Sequence, residues 1–293
     1  MSEVYLDHVL IAVRDLGGAA ALFSQELGFT LTPEGVHPGR GTHNRLIVFG
    51  PEYLELIAVR DPSEGVFRPT MGRFLDSREG LYMFALGTGD IGAAVAQARA
   101  RGINVDGPGD GAREASGGAP GYTWRFAGVS AADTPGSETF FIQHNDTVEE
   151  RYTQPADANV HANGAVGIHH VALAVRDADE SAGRWQEAFG FAGGPPEEIA
   201  GRGIRRARLV LPNCRLDFVS PLRSGAMSRF LERNGEAPYE LALRVGDIEA
   251  TDAWLRDRGV PTSAGGVDED GASIGVDSTR ANGVLLKFVQ PGG

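Results

Sequence analysis

The sequence repeats itself. Leu6-Asp7-His8-Val9-Leu10-Ile11-Ala12-Val13-Arg14-Asp15 returns as Ile168-His169-His170-Val171-Ala172-Leu173-Ala174-Val175-Arg176-Asp177, so that His170 answers to His8. The same offset carries Glu55 to Asp217. At a slightly shorter offset, Gly89-Asp90-Ile91 returns as Gly246-Asp247-Ile248. A repeat that keeps its register over so many segments means that the same supersecondary unit must close more than once.

Within the first copy, Val9, Ile11 and Val13 share one strand face and His8, Leu10 and Ala12 the other. The β-branched face calls for a helix. Asp15 is placed to cap one, Leu16, Ala19, Ala20, Phe23 and Leu27 recur at helical spacing, and Gly28 ends it. Three strands follow, through Tyr53–Val59. A short helix around Met71–Leu75 precedes a second strand–helix start, with Asp90 as cap and Gly102 as stop, and two closing strands that reach His144. The second half replays this order, with helices begun by Asp177 and Asp247 and ended by Gly190 and Gly259. The expected fold is α+β: four βαβββ modules paired into two domains, each a curved mixed sheet with helices on its outer face. The boundaries read 1–146 for the first pair, 147–165 for a polar linker and 166–293 for the second pair. The stretch from Asp106 to Gly121, rich in Gly, Ala and Asp, reads as a mobile loop.

Composition removes several functions. A net charge of −12 disfavours nucleic acid and anionic membranes as partners. Cys214, a lone thiol, can form no internal disulfide, which suits a reducing compartment. Met1–His8 carries Glu3 and Asp7 and no apolar run, so it does not read as a signal peptide, and no segment has the length of a membrane span. The expectation is a cytoplasmic protein.

Polar residues on the strand faces away from the helices are the candidates for chemistry. In the first half these are His8 and Glu55, with Met83 and Phe140 at the matching positions of its second module. In the second half they are His170, Asp217, Glu240 and Lys287. One imidazole and two carboxylates can hold a divalent metal with positions open for substrate oxygens. The competing reading, favoured on spacing alone, is a buried ion network in which Lys287 neutralises Asp217 or Glu240. His43 and Asn44, after two glycines, are placed to reach the first-half cavity beside Glu55, and Arg40 and Arg45 could orient a carbonyl or carboxylate. His144 reads as structural and Cys214 as an inert buried thiol. His37, His161 and His169 belong to no constellation, His169 pointing to the opposite side of its strand from His170. The three tryptophans read as core or pocket wall.

The two His-Val-x-x-x-Val-x-Asp strands, Tyr53-Leu54-Glu55-Leu56 and the ending Gly283–Gln290 resemble the vicinal oxygen chelate superfamily of glyoxalases, epimerases, resistance proteins and extradiol dioxygenases. Pro38–Asn44 with Tyr53–Ile57 is similar to a glyoxalase-like subgroup. The resemblance implies metal ligands at His170, Asp217 and Glu240, with Lys287 where the family has Glu, and a second site at His8 and Glu55 in which Met83 and Phe140 depart from the pattern. It implies a divalent metal (Fe, Mn, Zn or Ni) and no organic cofactor.

The expected function is then a metal-dependent lyase, isomerase or dioxygenase acting on a small oxygenated or aromatic compound. Glu55, His43 and Lys287 would be catalytic, and Asn44, Arg45, Met83 and Phe140 would bind substrate. The alternative is a metal-free protein that sequesters a small molecule. A third option places acid–base chemistry without metal in a first-half pocket around His8, His43 and Glu55. The expected partner is a small molecule. Four modules complete both pairs within one chain, and a homodimer is compatible with that.

Overall fold

The structure, a computed structural model, describes residues 3–64, 68–115, 121–152 and 155–292. The first half supplies β1 (Val4–Ala12), α1 (Leu16–Ala21, continued by a π turn over Leu22–Glu26), β2 (Gly35–His37), β3 (Thr42–Val48), β4 (Tyr53–Val59), α2 (Arg68–Ser77), β5 (Gly80–Thr88), α3 (Ile91–Ala100), β6 (Val105–Arg113), β7 (Tyr122–Val129) and β8 (Thr139–His144). A short helix, α4 (Val148–Arg151), follows. The second half supplies β9 (Ala165–Ala174), α5 (Ala178–Phe189), β10 (Ala192–Gly193), β11 (Glu197–Ile199), β12 (Ile204–Val210), β13 (Arg215–Pro221), α6 (Ala226–Asn234), β14 (Ala237–Val245), α7 (Ile248–Asp257), β15 (Thr262–Asp268), β16 (Gly271–Val276) and β17 (Leu285–Gln290).

The first sheet runs β2-β3-β4-β1-β5-β8-β7-β6 and the second β10-β12-β13-β9-β14-β17-β16-β15, with β11 also paired to β12. At each centre the opening strands of two modules run antiparallel, and each has a parallel partner on its other side. This is the expected α+β fold of paired modules. The side chains of Asp90, Asp177 and Asp247 accept backbone N–H bonds in the first turns of α3, α5 and α7. Asp15 sits at the N-cap position of α1 but makes no such bond.

The helix-bearing faces of the two sheets share one core. Val9, Ile11, Phe84 and Phe141 from the first half join Trp185, Phe218, Leu255 and Phe288 from the second in a continuous buried cluster. The Phe84 and Trp185 rings lie 5.5 Å apart, and Trp185 Nε1 donates to the Pro135 carbonyl at 3.0 Å. Asn213 bonds both backbone groups of Leu6, at 3.0 and 2.8 Å. Gly28 has φ +78°, and a Cβ there would run into the Trp254 indole, so the residue that ends α1 also lets α7 approach. The helices are thus outer only with respect to the two free sheet faces.

The free face of the first sheet curls until its edges touch: the Glu114 N–H donates to the Val36 carbonyl at 2.9 Å. The stretch expected to be a loop from Asp106 is therefore largely edge strand β6, paired with β7; residues 116–120 lie outside the described ones. Its composition misled because an edge strand facing solvent needs no apolar alternation. Gly111 leaves room for the Trp124 ring, which a Cβ would strike. No helix among the described residues is long and apolar enough to cross a membrane.

Because the core is common, Trp185→Ala should destabilise the chain by about 3–5 kcal/mol and loosen both halves together. Urea unfolding followed by fluorescence and by circular dichroism should give coincident transitions; separate transitions for the two halves would refute the shared-core account.

Candidate active site

Period-2 alternation places His8 on the free face, but β1 is not regular. Leu6 pairs with Leu86 and His8 with Ala85, so Asp7 has no partner on β5. This bulge brings Asp7 and His8 to the same site. His8 Nδ1 lies 2.7 Å from Asp7 Oδ1, and His144 Nε2 lies 3.1 Å from the same oxygen. Asp7 is 1% exposed. Burial alone would raise its pKa, but the charge and hydrogen bond of His144, and those of His8, outweigh that and hold the carboxyl well below its usual range. An ionised Asp7 fixes the His8 proton on Nδ1 and leaves Nε2 for other work.

That nitrogen faces Glu55 Oε2 at 3.4 Å. Oε1 of Glu55 accepts from Asn44 Nδ2 at 2.7 Å, and Asn44 Oδ1 accepts from Arg113 Nε at 3.0 Å. Arg113 is anchored in turn on the Pro33 carbonyl, at 2.8 Å. His37 completes the polar end, with Nδ1 2.9 Å from Thr42 Oγ1 and Nε2 3.1 Å from Asn44 Nδ2. Burial, opposed by Glu55 and assisted by Arg40 and Arg113, brings the His37 pKa down to about 4, so its ring is neutral. The Tyr53 ring stacks on His8 at 4.5 Å.

These groups stand at one end of a cavity of about 330 Å³. The remaining wall is apolar and aromatic, with Met71, Met83, Tyr122, Trp124, Phe126 and Phe140. Arg40 also lines it, its guanidinium 4.3 Å from the Phe126 ring centre. Of the residues expected here, His8, Asn44, Glu55, Met83 and Phe140 do line the cavity. His43 does not. It alternates with Asn44 on β3, turns to the other face and bonds Glu34 at 2.8 Å. Arg45 shares the His43 face and is likewise not among the lining residues. Asp7, His37 and His144 are titratable residues beside His8 and Glu55 that the sequence left out of the site. The Asp7-His8 doublet was a readable signal for a bulge; the turn that returns His37 to the site was not.

The second half has the same bulge but different contents. Ile168 pairs with Leu243 and His170 with Ala242, so His169 has no partner on β14. Its Nδ1 lies 2.8 Å from His170 Nδ1. The expectation that His169 points away from His170 fails, because the bulge cancels the alternation. His170 Nε2 is 3.5 Å from Glu240 and 4.0 Å from Asp217. One ligand atom each from His170, Asp217 and Asp270 lie within 4.8 Å of one another. The third donor to converge is thus Asp270, while Glu240 turns to His170 and to Arg202, at 3.2 Å. Burial would raise the Glu240 pKa, but His170, Arg202 and Lys287 bring it down to about 2. Lys287 is buried and serves as one of these cations.

Neither half, as it stands, fits a divalent ion. In the first, only His8 and Glu55 offer donors at the strand positions, and Met83 and Phe140 close the ring with a thioether and a phenyl group. In the second, Arg206 Nη1 lies 3.5 Å from Asp217 and 3.4 Å from Asp270, and Arg215 Nη1 lies 2.7 Å from Asp270. The carboxylates that would face an ion already face guanidinium groups.

A family model described as a glyoxalase-like domain matches residues 6–189. The chain belongs to the glyoxalase-like family. A second model, of the glyoxalase, bleomycin resistance protein and dioxygenase superfamily, matches residues 169–276, in keeping with the vicinal oxygen chelate resemblance. Among curated proteins, this glyoxalase-like chain is 28% identical over 107 residues to ethylmalonyl-CoA/methylmalonyl-CoA epimerase of Cereibacter sphaeroides, covering 36% of this chain and 80% of that one. A hypothetical protein from Staphylococcus aureus has the same fold over 98% of this chain and 99% of its own, with TM-score 0.69 and 15% identity. A variant of 4-hydroxymandelate synthase from Streptomyces coelicolor matches 100% of this chain and 94% of its own, with TM-score 0.70 and 15% identity.

The neutral His37 yields a pH dependence. The unfolded chain protonates this histidine below about pH 6.5, whereas the folded chain does so only below about 4. Between those values the unfolded state binds more protons, so stability falls as the pH is lowered, by about 3 kcal/mol for this group. His161 and His169, each also brought down to about 4, act in the same direction. Urea unfolding of wild type and His37→Gln across this range should show a shallower slope in the variant; an equal slope would mean that His37 is charged when folded.

Proposed function

We propose that the first half is the active half, and that it moves a proton without a metal ion at a carbon beside the carbonyl group of a small, mainly apolar molecule. The observation that carries this is the pair of Glu55 Oε2 and His8 Nε2, 3.4 Å apart at the polar end of an apolar cavity. Glu55 takes the proton from the substrate carbon and so becomes neutral. The electron pair moves to the carbonyl oxygen, where His8, carrying a second proton on Nε2 beside the one that Asp7 holds on Nδ1, donates a hydrogen bond. Return of the proton to carbon completes an isomerisation; departure of a neighbouring leaving group completes a lyase reaction. Asn44 holds the Glu55 carboxylate in place on Oε1. The name of the epimerase relative supports this class, since an epimerase inverts a carbon centre and proton transfer of this kind does so.

Metal-dependent chemistry in the second half has the convergence of His170, Asp217 and Asp270 in its favour, and it requires Arg206 to leave. Sequestration of a ligand has the aromatic wall in its favour, and would depend on Trp124 and Tyr122 rather than on Glu55.

The test is deuterium wash-in from heavy water, followed by NMR, into a panel of 2-substituted carbonyl compounds that includes methylmalonyl-CoA, with a chelator present. Wild type should exchange at least one member. Glu55→Gln should slow that exchange by about 10²–10⁴-fold while leaving ligand-induced quenching of Trp124 in place. Exchange that survives Glu55→Gln, or that the chelator abolishes, would overturn the proposal.

A further inference from the structure

We infer that the Arg206 guanidinium is a built-in cation. It holds the position that a divalent ion would take among His170, Asp217 and Asp270. This inference does not rest on the proton-transfer reading.

Arg206 follows Asn44 at the same offset that relates His170 to His8 and Asp217 to Glu55. The sheets confirm the equivalence: Asn44 lies opposite Ile57, Arg206 lies opposite Val219, and Val219 follows Ile57 at that offset too. Asp270 follows Arg113 at the slightly shorter offset that relates Asp247 to Asp90. Both halves keep a buried contact between these two positions, but its charge is moved. In the first, Arg113 donates to the neutral Asn44 at 3.0 Å. In the second, Arg206 pairs with Asp270 at 3.4 Å.

The move changes what stands over the binding face. Arg113 reaches Asn44 and also the Pro33 carbonyl, so its charge stays at the back of the site and the space before Glu55 is open. Arg206 instead projects from the strand equivalent to the one that carries Asn44, and places Nη1 3.5 Å from Asp217, the counterpart of Glu55. It also grips Glu197 and Glu269 near the sheet edges. Two buried carboxylates beside an imidazole need positive charge. Arg206 and Arg215 provide it, yet Asp217 Oδ1 is buried and accepts no hydrogen bond among the described residues. Its nearest cationic atom given by the structure is Arg215 Nε at 3.6 Å. An acceptor left in this state is what an ion in place of the guanidinium would use.

The experiment is Arg206→Asn, which copies the first half, with Arg206→Lys, His170→Ala and the double variant R206N/H170A as controls. Purified chains are dialysed against Mn²⁺ or Zn²⁺ and assayed for bound metal and for thermal midpoint. Wild type and Arg206→Lys should take up no more ion than His170→Ala. Arg206→Asn should melt about 10 °C lower than wild type without metal, take up one ion per chain and regain part of that loss; the double variant should do neither. Uptake by wild type that His170→Ala abolishes would overturn the inference and favour a native metal centre. So would an Arg206→Asn chain that binds no ion. Should Arg206→Asn fail to fold, the comparison of wild type with His170→Ala decides alone.

Discussion

Each central strand of both sheets gives one face to a core that the two halves share. This constraint governs the rest. Once Val9, Ile11, Leu54 and Phe84 are committed to packing against helices and against the second half, the chemistry-bearing groups of the same strands have only the other face. The fold thus decides where polar residues can converge before it decides which ones do. With the main core common to both halves, the free face of one half can change its contents while its sheet and helices remain useful to the other.

The two halves show how little is needed to change the contents of such a face. The bulges at Asp7 and His169 are equivalent, the strand pairings are equivalent, and His8 and His170 stand at the same place. What differs is a few side chains. Asp7 is an acceptor and orients His8; His169 is an imidazole and offers His170 a neutral neighbour, its pKa brought down to about 4 by burial, His170 and Arg215. Asn44 is neutral and lines a cavity, whereas Arg206 is a cation paired with Asp217 and Asp270. Family membership fixes the shared frame, and these side chains decide what each free face can hold.

Most of the fold was legible because its signals are local and redundant. The constant offset between the halves, the Asp caps and the glycine stops all pointed to the same elements. The site was legible only where strict alternation holds, as for Glu55, Met83 and Phe140. Alternation misplaces a residue wherever the strand bulges, and so Asp7 and His169 were lost. It also misplaced His43, since the glycine-rich turn before β3 gave no phase for that strand and His43 and Asn44 must face opposite ways. Arg206 could have been found by carrying the repeat offset from Asn44, but a lone arginine in a strand reads as a surface charge. The stretch from Asp106 to Gly121 read as a loop because an exposed edge strand such as β6 carries little pattern.

The closure of the first sheet has a consequence for association. Where β2 meets the end of β6, the Val36–Glu114 bridge joins the two edges of the sheet by a backbone hydrogen bond. In the second half the corresponding rims are drawn together by side chains, with Arg206 and Arg208 holding Glu197 and Glu269. Ionic grips at a partly exposed rim weaken as salt rises, whereas a backbone bridge does not. Salt therefore loosens the second half's rims before those of the first, and the edge strand β15 is then the more open to pairing with another chain.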